Sequence, residues 1–202
     1  MEGLITQHYL SDALASFRAY RKLADKALSQ LTDEEYFVAL DAESNSIAVI
    51  MKHIAGNMLS RWTDFLTSDG EKPDRNRDLE FVIEAQTTEQ ELLAYWERGW
   101  DCLFSALEPL RPADFEKKVL IRGEEHTVVQ AINRQLTHYA YHIGQIVFLA
   151  KHFRSAQWQS LSIPRNRSAE FNAYLAINPG PADKEQQLEV VAQFVSESEA
   201  AK

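Results

Sequence analysis

His138 and His142 are the residues of this chain whose type and spacing are best suited to chemistry. They stand four apart in the run LTHYAYHIG, within the amphipathic segment 127–153. Residues four apart lie one above the other on the same side of an α-helix, so both imidazoles can bind one cation. His53 lies in another segment with helical apolar spacing. Three neutral imidazoles suit zinc, nickel, copper or iron, and the three histidines therefore predict a metal site with an open position. The same spacing also fits ordinary hydrogen-bonded histidines of a helical core.

Other polar residues are candidates for a supporting role around these histidines. Asn57 comes one turn after the first histidine and Gln145 lies close to the last, so both side chains can orient ligands or substrate. Arg165 and Arg167, in the loop beyond 153, can bind a carboxylate. Each of the four also fits an ordinary solvated polar residue. No Asp or Glu lies one turn from a candidate ligand, which argues against proteolytic H-E-x-x-H chemistry and leaves the catalytic residues unassigned.

Four long amphipathic helices are predicted to position these residues. Apolar spacing and N-terminal capping patterns place the first helix at about 3–30 and the second from a cap at 44–46 to a stop at 69–70. The third helix is placed from 88 to about 108 and the fourth from 127 to 153. The polar linker TSDGEKPDRNRD predicts a long crossover after the second helix, and KKVLIRGEEHTVV predicts either a small β-hairpin or an extended lead into the fourth. Together these features predict an all-α four-helix bundle, in which facing helices can form a metal site.

Composition narrows the possible classes of protein. With 202 residues, 45% of them hydrophobic, we expect one helical domain over 1–176 and a polar C-terminal tail over 177–202, either disordered or swapped onto a partner. No long apolar run and no signal-peptide pattern is present, so we expect a cytoplasmic protein without a membrane partner. The net charge of −9 argues against binding of nucleic acid. The single cysteine, Cys102, excludes an internal disulfide.

Three segments of the chain resemble one protein superfamily. The runs SNSIAVIMKHIAGNMLSRWTDFLTSDGEKP, RGEEHTVVQAINRQLTHYAYHIGQIVFLAKH and WQSLSIPR are similar to the DinB-like (YfiT-like) superfamily, over roughly residues 4–175. This resemblance implies a four-helix bundle, often a homodimer, with a divalent metal, commonly zinc or nickel. The metal ligands in that superfamily match His53, His138 and His142 one for one. Some of its members are transferases or isomerases that use bacillithiol or mycothiol, so a low-molecular-weight thiol and a small-molecule substrate are implied as well.

Three functional hypotheses follow from these features. In the first, which we prefer, the protein is a metal-dependent enzyme that activates a thiol or water, as a thiol S-transferase or a hydrolase. In the second, it is a stress-related metal-binding protein whose histidines close a structural site. In the third, it is a dimeric helical interaction protein without metal. A structural site would normally have a fourth protein ligand, whereas a catalytic site keeps a position open.

Overall fold

Segments with helical apolar spacing form helices in the computed structural model, which describes residues 2–178 and 184–200. The helices are α1 (Glu2–Leu28), α2 (Ile47–Trp62), α3 (Glu89–Leu107), α4 (Val128–Arg154), α5 (Ser168–Ile177) and α6 (Lys184–Ala200), and the strands are β1 (Lys118–Ile121) and β2 (Glu124–Thr127). Helix α1 packs against α4, and α2 packs against α3 and also contacts α4. The predicted all-α four-helix bundle is confirmed.

Side-chain caps set the start of the bundle helices where the sequence predicts them. Thr88 begins α3 with a reciprocal capping box to Glu91, and Thr127 begins α4 in the same way with Gln130. Ser46 caps α2 by accepting a hydrogen bond from the backbone N–H of Val49. Each cap satisfies N–H groups that the first turn of a helix leaves without a partner. The register of both histidine-bearing helices is therefore set by short-range contacts.

The predicted end of α2 is wrong. The helix ends at Trp62, after 16 residues, rather than at the Asp69-Gly70 turn. Thr63 has extended backbone, its hydroxyl bonds the carbonyl of Leu59 at 2.7 Å, and Asp64 has a φ of 48°. Phe65 is nevertheless buried, with its ring against Trp62 at a centroid distance of 5.2 Å. The apolar spacing in the sequence therefore extends beyond the end of the helix, because Phe65 is buried although it lies in a non-helical turn.

The long crossover between α2 and α3 is attached to the β-hairpin that precedes α4. The two strands pair antiparallel and are joined at Arg122 and Gly123, both of which have positive φ, so the hairpin alternative of the sequence prediction is confirmed. The carboxylate of Asp69 accepts hydrogen bonds from the backbone N–H groups of both turn residues, at 2.8 and 2.7 Å. The crossover is therefore held close to the start of α4.

The C-terminal segment is helical over the part that the structure describes. Residues 184–200 form α6, which packs along α1, while residues 179–183 lie outside the described residues. Phe194 of α6 contacts Phe171 and Tyr174 of α5, and the guanidinium of Arg167 lies 4.7 Å from its ring centroid. Of the two alternatives for the tail, disorder does not describe these residues, whereas a swap onto a partner and the domain boundary at 176 stay predictions. Across the described ranges, no helix combines the length and apolarity needed to cross a membrane.

Tyr139 of α4 links all four bundle helices. Its ring is fully buried and lies 5.8 Å from Phe17 of α1 and 6.1 Å from Trp100 of α3, measured between centroids. Its hydroxyl donates to Asn57 Oδ1 and accepts from Trp62 Nε1, both at 3.1 Å. Both partners belong to α2. This side chain therefore fixes the position of α4 relative to α2.

Replacing Tyr139 with Phe should destabilise the protein by about 1–3 kcal/mol, because two buried polar groups on α2 lose their partner. The free energy of unfolding, measured by urea titration, tests this. Tyr141→Phe is the matched control on the same helix. Because Tyr141 is 63% exposed, removing its hydroxyl should change the free energy of unfolding by less than about 0.5 kcal/mol. Equal effects of the two substitutions would contradict the assigned role.

Candidate metal centre

Helices α2 and α4 bring the three predicted histidines together. One ring nitrogen from each of His53, His138 and His142 lies within 4.8 Å of the other two. His53 is buried on α2, and the two histidines of α4 are half-buried. The cluster therefore lies at the interface of the two helices, with one side toward the protein surface.

An oxygen atom contacts Nδ1 of each imidazole. Glu80 Oε2 lies 2.8 Å from Nδ1 of His53, Gln135 Oε1 lies 3.3 Å from Nδ1 of His138, and Gln145 Oε1 lies 2.8 Å from Nδ1 of His142. Carboxylate and amide oxygens only accept hydrogen bonds, so each Nδ1 carries the proton. Each Nε2 then carries a lone pair, which is the form of imidazole that binds a metal.

The separation of the Nε2 atoms fits a single bound cation. Nε2 of His53 and Nε2 of His138 are 3.3 Å apart. When both rings are neutral with their protons on Nδ1, no hydrogen lies between these two nitrogens, and their lone pairs repel. Two nitrogens bound at about 2.0–2.1 Å to one tetrahedral zinc lie roughly 3.3–3.4 Å apart, which matches this distance. The three histidines can therefore hold a divalent metal between their ring nitrogens, and the Nε2 atoms of His53 and His138 already have this spacing.

The crossover contributes a buried ion pair that supports His53. Arg75 donates to both carboxylate oxygens of Glu80, from Nε at 2.8 Å and from Nη2 at 3.0 Å, while one of these oxygens also contacts His53. Gly56, one turn after His53, allows the carboxylate to lie against α2, because a Cβ at that position would be 2.6 Å from Glu80 Oε1. Phe81 covers the His53 ring at a centroid distance of 5.0 Å. Glu80 and Phe81 thus both contact the ring of His53.

Electrostatics keep the site in its ligand form. Burial, followed by the neighbouring charges of His142 and His53, lowers the pKa of His138 to about 3. Burial also lowers the pKa of His142, although the bond to Gln145 partly offsets it. For Glu80, burial is the largest influence and raises the pKa, but the hydrogen bonds from His53 and Arg75 outweigh it and the net pKa is lowered. At neutral pH the carboxylate is charged, and His138 and His142 are neutral.

The supporting residues differ in part from those that the sequence suggested. Gln145 contacts a candidate ligand, whereas Asn57 accepts the hydroxyl of Tyr139 instead. Arg165 is exposed in the loop after α4, and Arg167 pairs with Glu170 at 2.7 Å. Among the described residues, the hydrogen-bond partners of Asn57 and Arg167 are therefore other residues and not the histidines of the cluster.

Three supporting residues were missed: Gln135, Glu80 and Arg75. Gln135 precedes His138 by three residues, as Gln145 follows His142 by three, so the helical spacing alone was a usable signal. Glu80 and Arg75 gave no comparable signal, because they reach His53 through the fold of the crossover.

Protonation of the buried histidines should make the metal-free protein less stable in acid. The folded-state pKa of His138, about 3, lies below the ordinary value of 6.5, so the unfolded chain binds more protons between these limits. The contribution of neutral His138 to the free energy of unfolding is then fully present above about pH 6.5 and is lost as the pH drops toward 3. Urea unfolding in chelator from pH 7 to 4 should show a shallower pH dependence for His138→Gln than for the native chain. His8→Gln, at an exposed position of α1, should keep the native slope; a slope unchanged in His138→Gln would contradict the prediction.

Comparison with known proteins places the chain in a family. No curated protein and no solved structure matches it. The family model described as "Protein of unknown function (DUF1572)" matches residues 4–167. The matched part contains nearly all of α1 and the whole of α2 to α4, the crossover and all three clustered histidines, and it ends just before α5. The chain therefore belongs to the DUF1572 family.

Proposed function

We propose that this protein is a divalent-metal-dependent enzyme of the thiol S-transferase type, with His53, His138 and His142 as the metal ligands. The observation that carries the proposal is a group of three histidines, with one ring nitrogen of each within 4.8 Å of the other two and an oxygen at the Nδ1 of every ring. Among the described residues, the cluster contains three candidate ligands and no fourth. Three protein ligands with a position left open are typical of catalytic rather than structural sites.

The DinB-like resemblance supports the finer parts of this proposal. It favours zinc or nickel as the metal, a low-molecular-weight thiol as co-substrate, a small electrophilic molecule as substrate, and a homodimer as the assembly. A divalent metal held by the three histidines would supply Lewis acidity, which lowers the pKa of a thiol or water at the open position. The residues of the chain keep His138 and His142 neutral, accept hydrogen bonds at the Nδ1 positions and orient the rings.

The state of Glu80 favours thiol transfer over hydrolysis. Hydrolysis by an activated water usually requires a carboxylate nearby that can act as general base. Both oxygens of Glu80 are already occupied by His53 and Arg75, and its pKa is lowered, so it is a poor proton acceptor. A thiol needs no such base, because it ionises far more readily than water. The carboxylate instead serves to position His53.

Metal content tests the ligand assignment. Protein prepared without an affinity tag should hold about one equivalent of metal by mass spectrometry. His53→Ala and His142→Ala should each lose it, because two imidazoles bind a divalent metal much more weakly than three. His152→Ala, in the last turn of α4 and exposed, is the matched control and should retain metal. Native protein that cannot be loaded with zinc, nickel or cobalt would refute the proposal.

The support given by Glu80 should be measurable as metal affinity. Glu80→Gln keeps the shape of the side chain but removes its charge, so His53 becomes a less basic ligand, and affinity should fall about tenfold or more. Competition with a chromogenic chelator measures this. Glu84→Gln, an exposed acid on the same crossover, should change nothing. Unchanged affinity in Glu80→Gln would show that this ion pair only stabilises the fold.

A further inference from the structure

Arg61 of α2 is a buried cation without a hydrogen-bond acceptor. The residue is 5% exposed, and its Nε and Nη1 atoms have no partner among the described residues. Burial lowers the pKa of its guanidinium, but the group stays charged at neutral pH. A buried charge without a counterion is strongly unfavourable, and guanidinium groups in such positions commonly serve to bind carboxylate or phosphate. Two donor atoms of this arginine are therefore left without an acceptor among the described residues, although Asp69 and Glu71 interact with its charge.

The surroundings of Arg61 place it close to the histidine cluster. Arg61 directly precedes Trp62, whose Nε1 donates to the hydroxyl of Tyr139, and Tyr139 directly follows His138 in α4. Arg134, one turn before His138 on α4, lies near enough to lower the pKa of Arg61. Arg134 is exposed, so the pair of arginines extends from the interior to the surface. The two cations and the candidate ligands thus share the α2–α4 interface.

The acids near Arg61 are engaged elsewhere. Asp69 accepts hydrogen bonds from the backbone N–H groups of Glu71, Arg122 and Gly123. The carboxylate of Glu71 pairs with Arg75 at 3.0 Å and lies 3.4 Å from Arg122. Neither carboxylate therefore accepts a hydrogen bond from Nε or Nη1 of Arg61.

We propose that Arg61, together with Arg134, binds the carboxylate of an organic ligand whose other end lies at the three-histidine centre. The contact of this ligand with the three-histidine centre rests on the proposed function. The proposal restricts the chemical class of the thiol or substrate to molecules that carry a carboxylate. The planar guanidinium of Arg61 can form two parallel hydrogen bonds with a carboxylate, and the Arg134 side chain supplies a second positive charge at the entrance. The role that sequence suggested for Arg165 and Arg167 is thereby assigned to a different pair.

The first experiment needs no metal and therefore does not depend on the proposed function. The thermal midpoint of chelator-treated native protein is measured in sodium propionate and in sodium chloride of equal ionic strength. Propionate should raise the native midpoint by about 2–4 °C, because a ligand that binds only the folded state stabilises it. Arg61→Met should abolish this rise, and Arg165→Gln should keep it. Arg61→Met should itself fold, since replacing an unpaired buried charge with an apolar side chain of similar length is neutral or stabilising.

The second experiment links the two ends of the site. Cobalt-loaded protein is titrated with 3-mercaptopropionate and with 2-mercaptoethanol, and binding is followed by the thiolate-to-cobalt absorption band. The ratio of the two dissociation constants should favour the carboxylate-bearing thiol at least about tenfold more in native protein than in Arg61→Met. Arg134→Gln, at an exposed position that does not threaten the fold, should reduce the ratio in part. Affinity for 2-mercaptoethanol should not change in either variant.

The outcomes separate the two proposals. A propionate effect that depends on Arg61, without any thiol binding, supports the carboxylate subsite and overturns the thiol chemistry of the proposed function. Thiol binding with the same ratio of dissociation constants in native protein, Arg61→Met and Arg134→Gln overturns the subsite and leaves the proposed function standing. A propionate effect that persists in Arg61→Met also overturns the subsite.

Discussion

Three imidazoles gathered with one ring nitrogen of each within 4.8 Å of the other two are the constraint on which the rest of this structure depends. Left to themselves, such groups would repel, rotate away or take up protons. Here the Nδ1 of each ring is held by an oxygen, from Glu80, Gln135 or Gln145, so the rings cannot turn without losing a hydrogen bond. Burial at the same time disfavours protonation of His138 and His142. The fold thus maintains an arrangement that a divalent cation would relieve.

The crossover between α2 and α3 is part of this arrangement rather than a mere connection. It brings Glu80, held by Arg75, to Nδ1 of the His53 ring, whose Nε2 faces His138 of α4, and its Asp69 also holds the turn of the β-hairpin. The hairpin in turn leads directly into the cap of α4 at Thr127. Contacts along the crossover therefore couple the position of His53 to the start of the helix that bears the other two histidines.

Groups that are unfavourable for stability gather at the α2–α4 interface. His138 is kept neutral by burial, and Arg61 is buried with Nε and Nη1 lacking acceptors among the described residues. Tyr139, between them in the core, is by contrast fully hydrogen-bonded to Asn57 and Trp62. Natural proteins tolerate such local costs mainly where a ligand offsets them. The well-satisfied core around Tyr139 supplies the stability that makes these costs tolerable.

The sequence by itself determined the four bundle helices, the caps of three of them and the His138–His142 pair, because helical periodicity and capping depend on residues three or four positions apart. That His53 joins this pair, from 85 residues before His138, was a prediction that local spacing could not establish. Contacts between residues farther apart in the sequence were decided only by the tertiary structure. Glu80 meets His53 from 27 residues away, α2 ends at Trp62 although apolar spacing continues, and 184–200 forms a helix against α1. The contact between Glu80 and His53 depends on the path of an irregular crossover, whose course is set by long-range contacts that local patterns do not encode. The same holds for Arg61, because only the tertiary structure shows that its Nε and Nη1 have no acceptor among the described residues.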